Sequence, residues 1–125
     1  LTHLFYDEKY NSLNKKIYYS PSLTHLIFND RVIDVGTLPP LLTHLIFLKN
    51  SLFNKPIILP KFLTLLILSG GFNQKIDLPE SLIYLTFGHY FNQKVNLPQN
   101  LTHLTFGHYF NQEVNYLPKN LKPIC

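Results

Sequence analysis

The sequence predicts a mainly β solenoid of stacked coils about 19 to 22 residues long, with a parallel sheet along one face. Three observations predict it. The ten residues Phe87 to Asn96, FGHYFNQKVN, return 19 positions later as Phe106 to Asn115, FGHYFNQEVN, with only Lys94 exchanged for Glu113. A Leu-x-x-Leu segment recurs along the whole chain without changing length. The chain has no alanine and is rich in Asn, Thr, Ile and Phe, which disfavours helices. A short period of this kind marks units that cannot bury an apolar face alone and do so by stacking.

The units begin at Leu1, Leu23, Leu42, Leu63, Leu82 and Leu101, with a partial unit at Leu121, so the spacings are 22, 19, 21, 19, 19 and 20. Extra residues fall before Leu13, before Phe53 and at Tyr116, outside the Leu-x-x-Leu segment, where loops absorb insertions. Strand alternation at Leu85 to Phe87 points Leu85 and Phe87 inward and Thr86 outward. Leu4, Leu26, Leu45, Leu66, Leu85 and Leu104 then form one buried column. Gly88 turns the corner, with Gly107 and the Gly70-Gly71 pair at the same corner in neighbouring units. Glycine's tolerance of positive φ accounts for its use there. Phe91 enters the core, Val95 belongs to a second wall, and Leu97-Pro98 ends the coil, since proline fixes φ and removes a donor. No segment carries the capped amphipathic pattern of an ordinary helix.

At 125 residues and 46% hydrophobic content the chain reads as a single domain, residues 1–125. Apolar runs such as Phe62 to Leu68 fall far short of the roughly 18 to 20 residues of a membrane helix. The chain opens on Leu1 and has no methionine, which reads as a fragment or processed piece. The lone Cys125 cannot form an internal disulfide and favours a reducing, cytoplasmic setting. Net charge is +4, but the lysines are scattered and Arg31 is the only arginine. Nucleic-acid surfaces cluster basic residues and use arginine forks, so the charge argues against one.

The pattern Leu-Pro-x-x-Leu-Thr-x-Leu-x-Phe-Gly-x-x-Phe-Asn-Gln-x-Ile resembles the FNIP repeat, a short variant of the leucine-rich repeat found in social amoebae and in giant viruses that infect amoebae. Phe72-Asn73, Phe91-Asn92 and Phe110-Asn111 carry the resemblance, with Phe53-Asn54-Lys55-Pro56-Ile57 close to it. The first unit substitutes Leu13-Asn14-Lys15-Lys16-Ile17. In the second, the corresponding stretch Val32-Ile33-Asp34-Val35 contains no asparagine, which predicts an irregular wall there. The resemblance implies a leucine-rich-repeat-like horseshoe acting as an interaction module, sometimes the recognition arm of a larger F-box-type protein. No F-box-like stretch occurs within these 125 residues.

Asn14, Asn54, Asn73, Asn92 and Asn111 each follow an inward apolar residue and form a ladder whose amides serve turn backbone groups. His3, His25, His44 and His103 take the third place of Leu-Thr-His-Leu, where Leu65 and Tyr84 stand in the other units. Alternation turns this column outward, beside a fifth-position column of Phe5, Ile27, Ile46, Ile67, Thr86 and Thr105. A flat row of imidazoles lacks the enclosure of a metal site, so neither a metal nor a cofactor is expected. The sharper expectation is a recognition face of His3, His25, His44, Ile46, Ile67, Tyr84, Thr86, His103 and Thr105, apolar for an exposed sheet. His89-Tyr90 and His108-Tyr109 form a shorter pair on the corner loop, where stacked aromatics suit a binding rim, although recent duplication alone would explain them.

No nucleophile elbow, paired carboxylate or His-Cys-Cys spacing is present, which argues against an enzyme. Ser69-Gly70-Gly71 lacks the spacing and following helix of a phosphate loop and reads as a corner. Asn100-Leu101-Thr102 matches a glycosylation sequon, but Leu101 is a core position. The sequence therefore points to a non-catalytic module binding a protein of unstated identity along its strand face. Its rival is a structural segment that self-associates by stacking through solenoid ends. Leu117, Leu121 and Ile124 would be left uncovered at one end, whereas Asp7, Glu8, Lys9, Lys15 and Lys16 protect the other.

Overall fold

A computed structural model describes residues 1–7 and 17–122. Six short strands occupy this chain: β1 (His3–Tyr6), β2 (His25–Phe28), β3 (His44–Phe47), β4 (Leu65–Ile67), β5 (Tyr84–Thr86) and β6 (His103–Thr105). They form one sheet in the order β1-β2-β3-β4-β5-β6, every neighbour parallel. No helix occurs among the described residues. Each strand is only three or four residues long, because a coil of this period must turn away after the sheet and return below it.

Register follows the repeat. Leu4 pairs with Leu26, Leu26 with Leu45, and the same column continues through Leu66, Leu85 and Leu104. Leu26, Leu45, Leu66 and Leu85 are fully buried, while Leu4 and Leu104 in the outermost strands are half-buried. Leu23, Leu42, Leu63, Leu82 and Leu101 form a second fully buried column. Removing a leucine side chain from water contributes about 1.5–3 kcal/mol, so every added coil extends the same apolar interior.

Two files of aromatic rings fill the rest of the core. Phe28 stacks on Phe47 at 5.2 Å, and Phe87 on Phe106 at 5.3 Å, with Leu68 between the two pairs in sequence. The phenylalanines that precede asparagine form the other file: Phe53, Phe72, Phe91 and Phe110 lie 6.2 Å apart at interplanar angles of 7° or less. The files meet where Phe87 stacks on Phe91 at 4.1 Å and Phe106 on Phe110 at 3.8 Å. Towards β1, an edge-packed cluster of Tyr6, Tyr19 and Phe28 replaces them, and the Tyr19 hydroxyl donates to the Val35 carbonyl at 2.6 Å.

The asparagine ladder is structural. Asn54, Asn73 and Asn92 each accept, through Oδ1, the backbone N–H of the next coil's asparagine at 2.8–2.9 Å. The same oxygens accept Nε2–H of Gln74, Gln93 and Gln112 at 3.0 Å. Asn14 lies outside the described residues. The second unit, which lacks the asparagine, builds its wall differently. Val32 and Val35 are buried, and Asp34 Oδ1 accepts the N–H of Gly36, whose φ is 64°.

One expectation is corrected. Gly70, Gly71, Gly88 and Gly107 do not hold the corner by positive φ, since Gly36 alone among the described glycines adopts it. Close approach of the preceding coil excludes a side chain instead. A Cβ on Gly88 would lie 2.7 Å from Gly70 Cα and drive into the Ser69 carbonyl oxygen, and one on Gly107 would drive into the Gly88 carbonyl. The stacking also shows that Gly88 sits over Ser69. The buried Ser69 hydroxyl donates to the Phe53 carbonyl at 2.8 Å.

Leu85→Asp is expected to abolish folding, because an unpaired charge in that column costs several kcal/mol, comparable with a domain's whole stability. Gly88→Ala is expected to lower the urea midpoint more than Gly36→Ala. The first forces two backbones apart, whereas the second meets atoms no nearer than 3.4 Å and adds only about 1–2 kcal/mol of left-handed strain. Equal losses in the two glycine variants would place the constraint in backbone dihedrals.

Candidate functional site

The outward side of the sheet carries the two columns that strand alternation predicts. His3, His25, His44, Leu65, Tyr84 and His103 are in register, as are Phe5, Ile27, Ile46, Ile67, Thr86 and Thr105. Exposure is graded along them. His3, Phe5, His103 and Thr105 in the outermost strands are exposed, as is Tyr84 in β5, whereas His25, His44, Ile46, Ile67 and Thr86 are half-buried.

The histidines pack on one another. His3 stacks on His25 and His25 on His44, each at 4.0 Å and within 15° of parallel, and Tyr84 stacks on His103 at 5.1 Å. Each ring is also held from behind. Nδ1 of His3, His25, His44 and His103 lies 2.8–2.9 Å from Oγ1 of the preceding threonine. Thr24, Thr43 and Thr102 also donate Oγ1–H to a carbonyl of the previous coil, at 3.2–3.4 Å. A hydroxyl has one proton. When that proton goes to the carbonyl, Nδ1 carries the ring hydrogen and the neutral imidazole keeps Nε2 as a bare acceptor. The threonine of Leu-Thr-His-Leu therefore fixes ring orientation, a role that sequence reading missed, although its place before each of these four histidines was the available signal.

Burial, then the like-charged neighbours His44 and His3, lowers the pKa of His25 from its ordinary value of 6.5. No group of three or more His, Cys, Asp or Glu among the described residues has the geometry to hold a metal ion. The face can offer imidazole acceptors, a phenol and aliphatic surface to a partner's backbone and apolar side chains.

The second cluster lies at the corner that follows β5 and β6. His89 stacks on His108 and Tyr90 on Tyr109, both at 5.3 Å and 8°, while His89 and Tyr109 meet edge-on at 5.1 Å. The four rings form one ordered group. The sequence offers a binding rim or recent duplication for these residues, and only the structure shows that they interlock.

The FNIP Repeat family model matches residues 53–90, 72–96 and 91–124, more than half of the chain. The chain belongs to the FNIP repeat family. Among solved structures it is similar to that of the giant-virus protein CroV588, described as a novel circular LRR protein, with 40% sequence identity and a TM-score of 0.59. That alignment covers 98% of this chain and 23% of CroV588, so this chain spans about a quarter of the other's length. No curated protein matches the sequence.

The lowered pKa of His25 fixes the sign of a pH effect. Above pH 6.5 the ring is neutral whether the chain is folded or unfolded. Below 6.5 the unfolded chain takes the proton more readily, so stability falls from there down to the lowered folded value and then levels. Urea midpoints measured from pH 8 to 5 are expected to show this decline. His25→Leu, which copies the Leu65 found at this position in β4, is expected to flatten it; an undiminished decline in that variant would assign the effect to other groups.

Proposed function

We propose that the chain is a non-catalytic interaction module that binds a polypeptide along the outward face of its sheet. One observation carries the reading: parallel sheets are ordinarily covered on both faces, yet no described element covers the face bearing Phe5, Ile27, Ile46 and Ile67. Phe5 is 56% exposed and Tyr84 36% there, a quantity of apolar and aromatic surface that suits a partner. His3, His25, His44, Ile46, Ile67, Tyr84, Thr86, His103 and Thr105 are the proposed contacts. Held in place by threonines and by one another, the imidazoles would lose little freedom on binding. Stacked repeats generally use such extended surfaces for protein recognition.

Peptides selected on the chain from a random library, then measured by calorimetry, test this reading. His25→Ala/His44→Ala and Tyr84→Ala are each expected to weaken binding by at least about tenfold, the loss of a well-packed contact. Unchanged affinity in both variants would place recognition elsewhere.

A second reading, assembly through coil faces, has its own observation. Asn111 Oδ1 stands where Asn54, Asn73 and Asn92 each receive the next coil, and Leu117, later in the same coil, is 60% exposed, whereas Leu97 at the equivalent place one coil earlier is buried. Another coil, from the same chain or another copy, would continue both patterns, and CroV588 is described as circular. Ile124, Glu8, Lys9, Lys15 and Lys16, which enter the sequence argument about ends, lie outside the described residues. Sedimentation of the 125-residue chain with Cys125 reduced is expected to show association at tens of micromolar (roughly 10–100 µM), reduced when a polar capping coil follows Cys125. A monomer at those concentrations contradicts assembly and leaves strand-face binding intact.

A further inference from the structure

The corner column has a missing rung. Tyr90 and Tyr109 occupy it in two successive coils, and Leu52 stands in the same column two coils before Tyr90. Between them is Gly71, preceded by Gly70 in the place of His89. These glycines are required where they are, since a Cβ on Gly71 would lie 2.9 Å from Leu52 Cα and one on Gly70 2.7 Å from the Lys49 carbonyl oxygen. The consequence is a slot of about 670 Å³, floored by Gly70, Gly71 and Gly88 and walled by Leu52 on one side and His89-Tyr90 on the other.

Ring exposure shows that the slot is open. Tyr109 has Tyr90 on one face and is 52% exposed. Tyr90 has Tyr109 on one face and is 53% exposed, so its other face, towards Gly71, is no better covered than that of the last ring in the file. Leu52, at 79% exposure, leaves its wall equally bare. With coils about 4.8 Å apart, the rungs of Leu52 and Tyr90 are separated by about 10 Å. One planar ring inserted there has an aliphatic wall on one side and a stacking partner on the other, within the roughly 4.5–7 Å centroid range of aromatic pairs.

We propose that this slot binds an aromatic side chain of a polypeptide partner, which completes the file begun by Tyr109 and Tyr90. The protein supplies the periodicity and leaves out one ring. A peptide side chain fits better than a nucleotide base because, among the described residues, Lys49 is the only lysine or arginine lining the slot, too little charge to hold a phosphate. The proposal rests on the interaction reading for the source of the ring, but uses neither the histidine column nor Tyr84.

Nitrogen-15 NMR titration of the chain with N-acetyl-tryptophanamide, N-acetyl-leucinamide and adenosine tests it. The tryptophan amide is expected to shift the amides of Gly70, Gly71, His89 and Tyr90, with the leucine amide and adenosine weaker. Tyr90→Ala removes an exposed ring and is expected to weaken the tryptophan amide by about two- to tenfold, the worth of one aromatic pair. Leu52→Ser, at an equally exposed site, tests the opposite wall and is expected to weaken it as well, so the inference does not depend on one variant folding. Adenosine binding better than the tryptophan amide, equal binding of the leucine amide, or shifts confined to other residues each overturns the proposal. Binding at the slot together with library peptides indifferent to His25→Ala/His44→Ala and Tyr84→Ala would retain the slot and reject the histidine column and Tyr84 as the recognition face. The reverse pattern would reject the slot alone.

Discussion

Each coil is locked to the next by one backbone carbonyl at its second position. The Thr2 carbonyl accepts both Thr24 N–H and His25 N–H, at 2.8 and 2.9 Å, and Thr24, Thr43, Thr64 and Ile83 repeat the arrangement for the coils that follow. Two donors from consecutive residues on one acceptor leave no room for slippage. A shift by one residue would turn the leucine column to solvent and the histidine column into the core. Threonine adds a third bond at most of these places by donating its own hydroxyl to the carbonyl of the coil before. Buried leucines, phenylalanine files, asparagine ladder and outward columns all depend on this register, because each works only if like stands over like.

The same constraint explains how recognition chemistry arises on a scaffold with no enclosed site. Identical backbones at strand spacing convert any residue repeated in sequence into a file in space. Where the repeated residue is apolar and inward, the file is core. Where it is histidine and outward, the file is a row of stacked imidazoles oriented by threonine, and His25, in its middle, resists protonation. Departures from repetition matter as much. Two consecutive glycines between Leu52 and the stacked Tyr90 and Tyr109 leave a slot that no single coil contains.

Much of this was legible in the sequence because the period fixes which residues superpose and strand alternation fixes which way they face. Leu26, Leu45, Leu66 and Leu85 follow from those two facts alone. Other features depend on distances that a period does not encode. Gly88 and Gly107 looked like dihedral requirements, yet the governing fact is the nearness of the coil beneath, which is set by packing. Gln74, Gln93 and Gln112 recur as visibly as the asparagines, but their sharing of the asparagine oxygen emerges only once the turns are placed. The graded exposure of the strand face was equally hidden, since burial of His25 comes from the rings on either side of it.

Amide hydrogen exchange tests the carbonyl lock most directly. The N–H groups of Thr43, His44, Thr64, Leu65, Ile83 and Tyr84, all donated to second-position carbonyls in the interior coils, are expected to be the most protected in the chain and to exchange with one shared opening free energy. Thr24 and His25, bonded to the outermost described coil, should open earlier. Exchange of the interior group as fast as the surface loops, or separately coil by coil, would show that register is held by something other than this contact and would contradict the account.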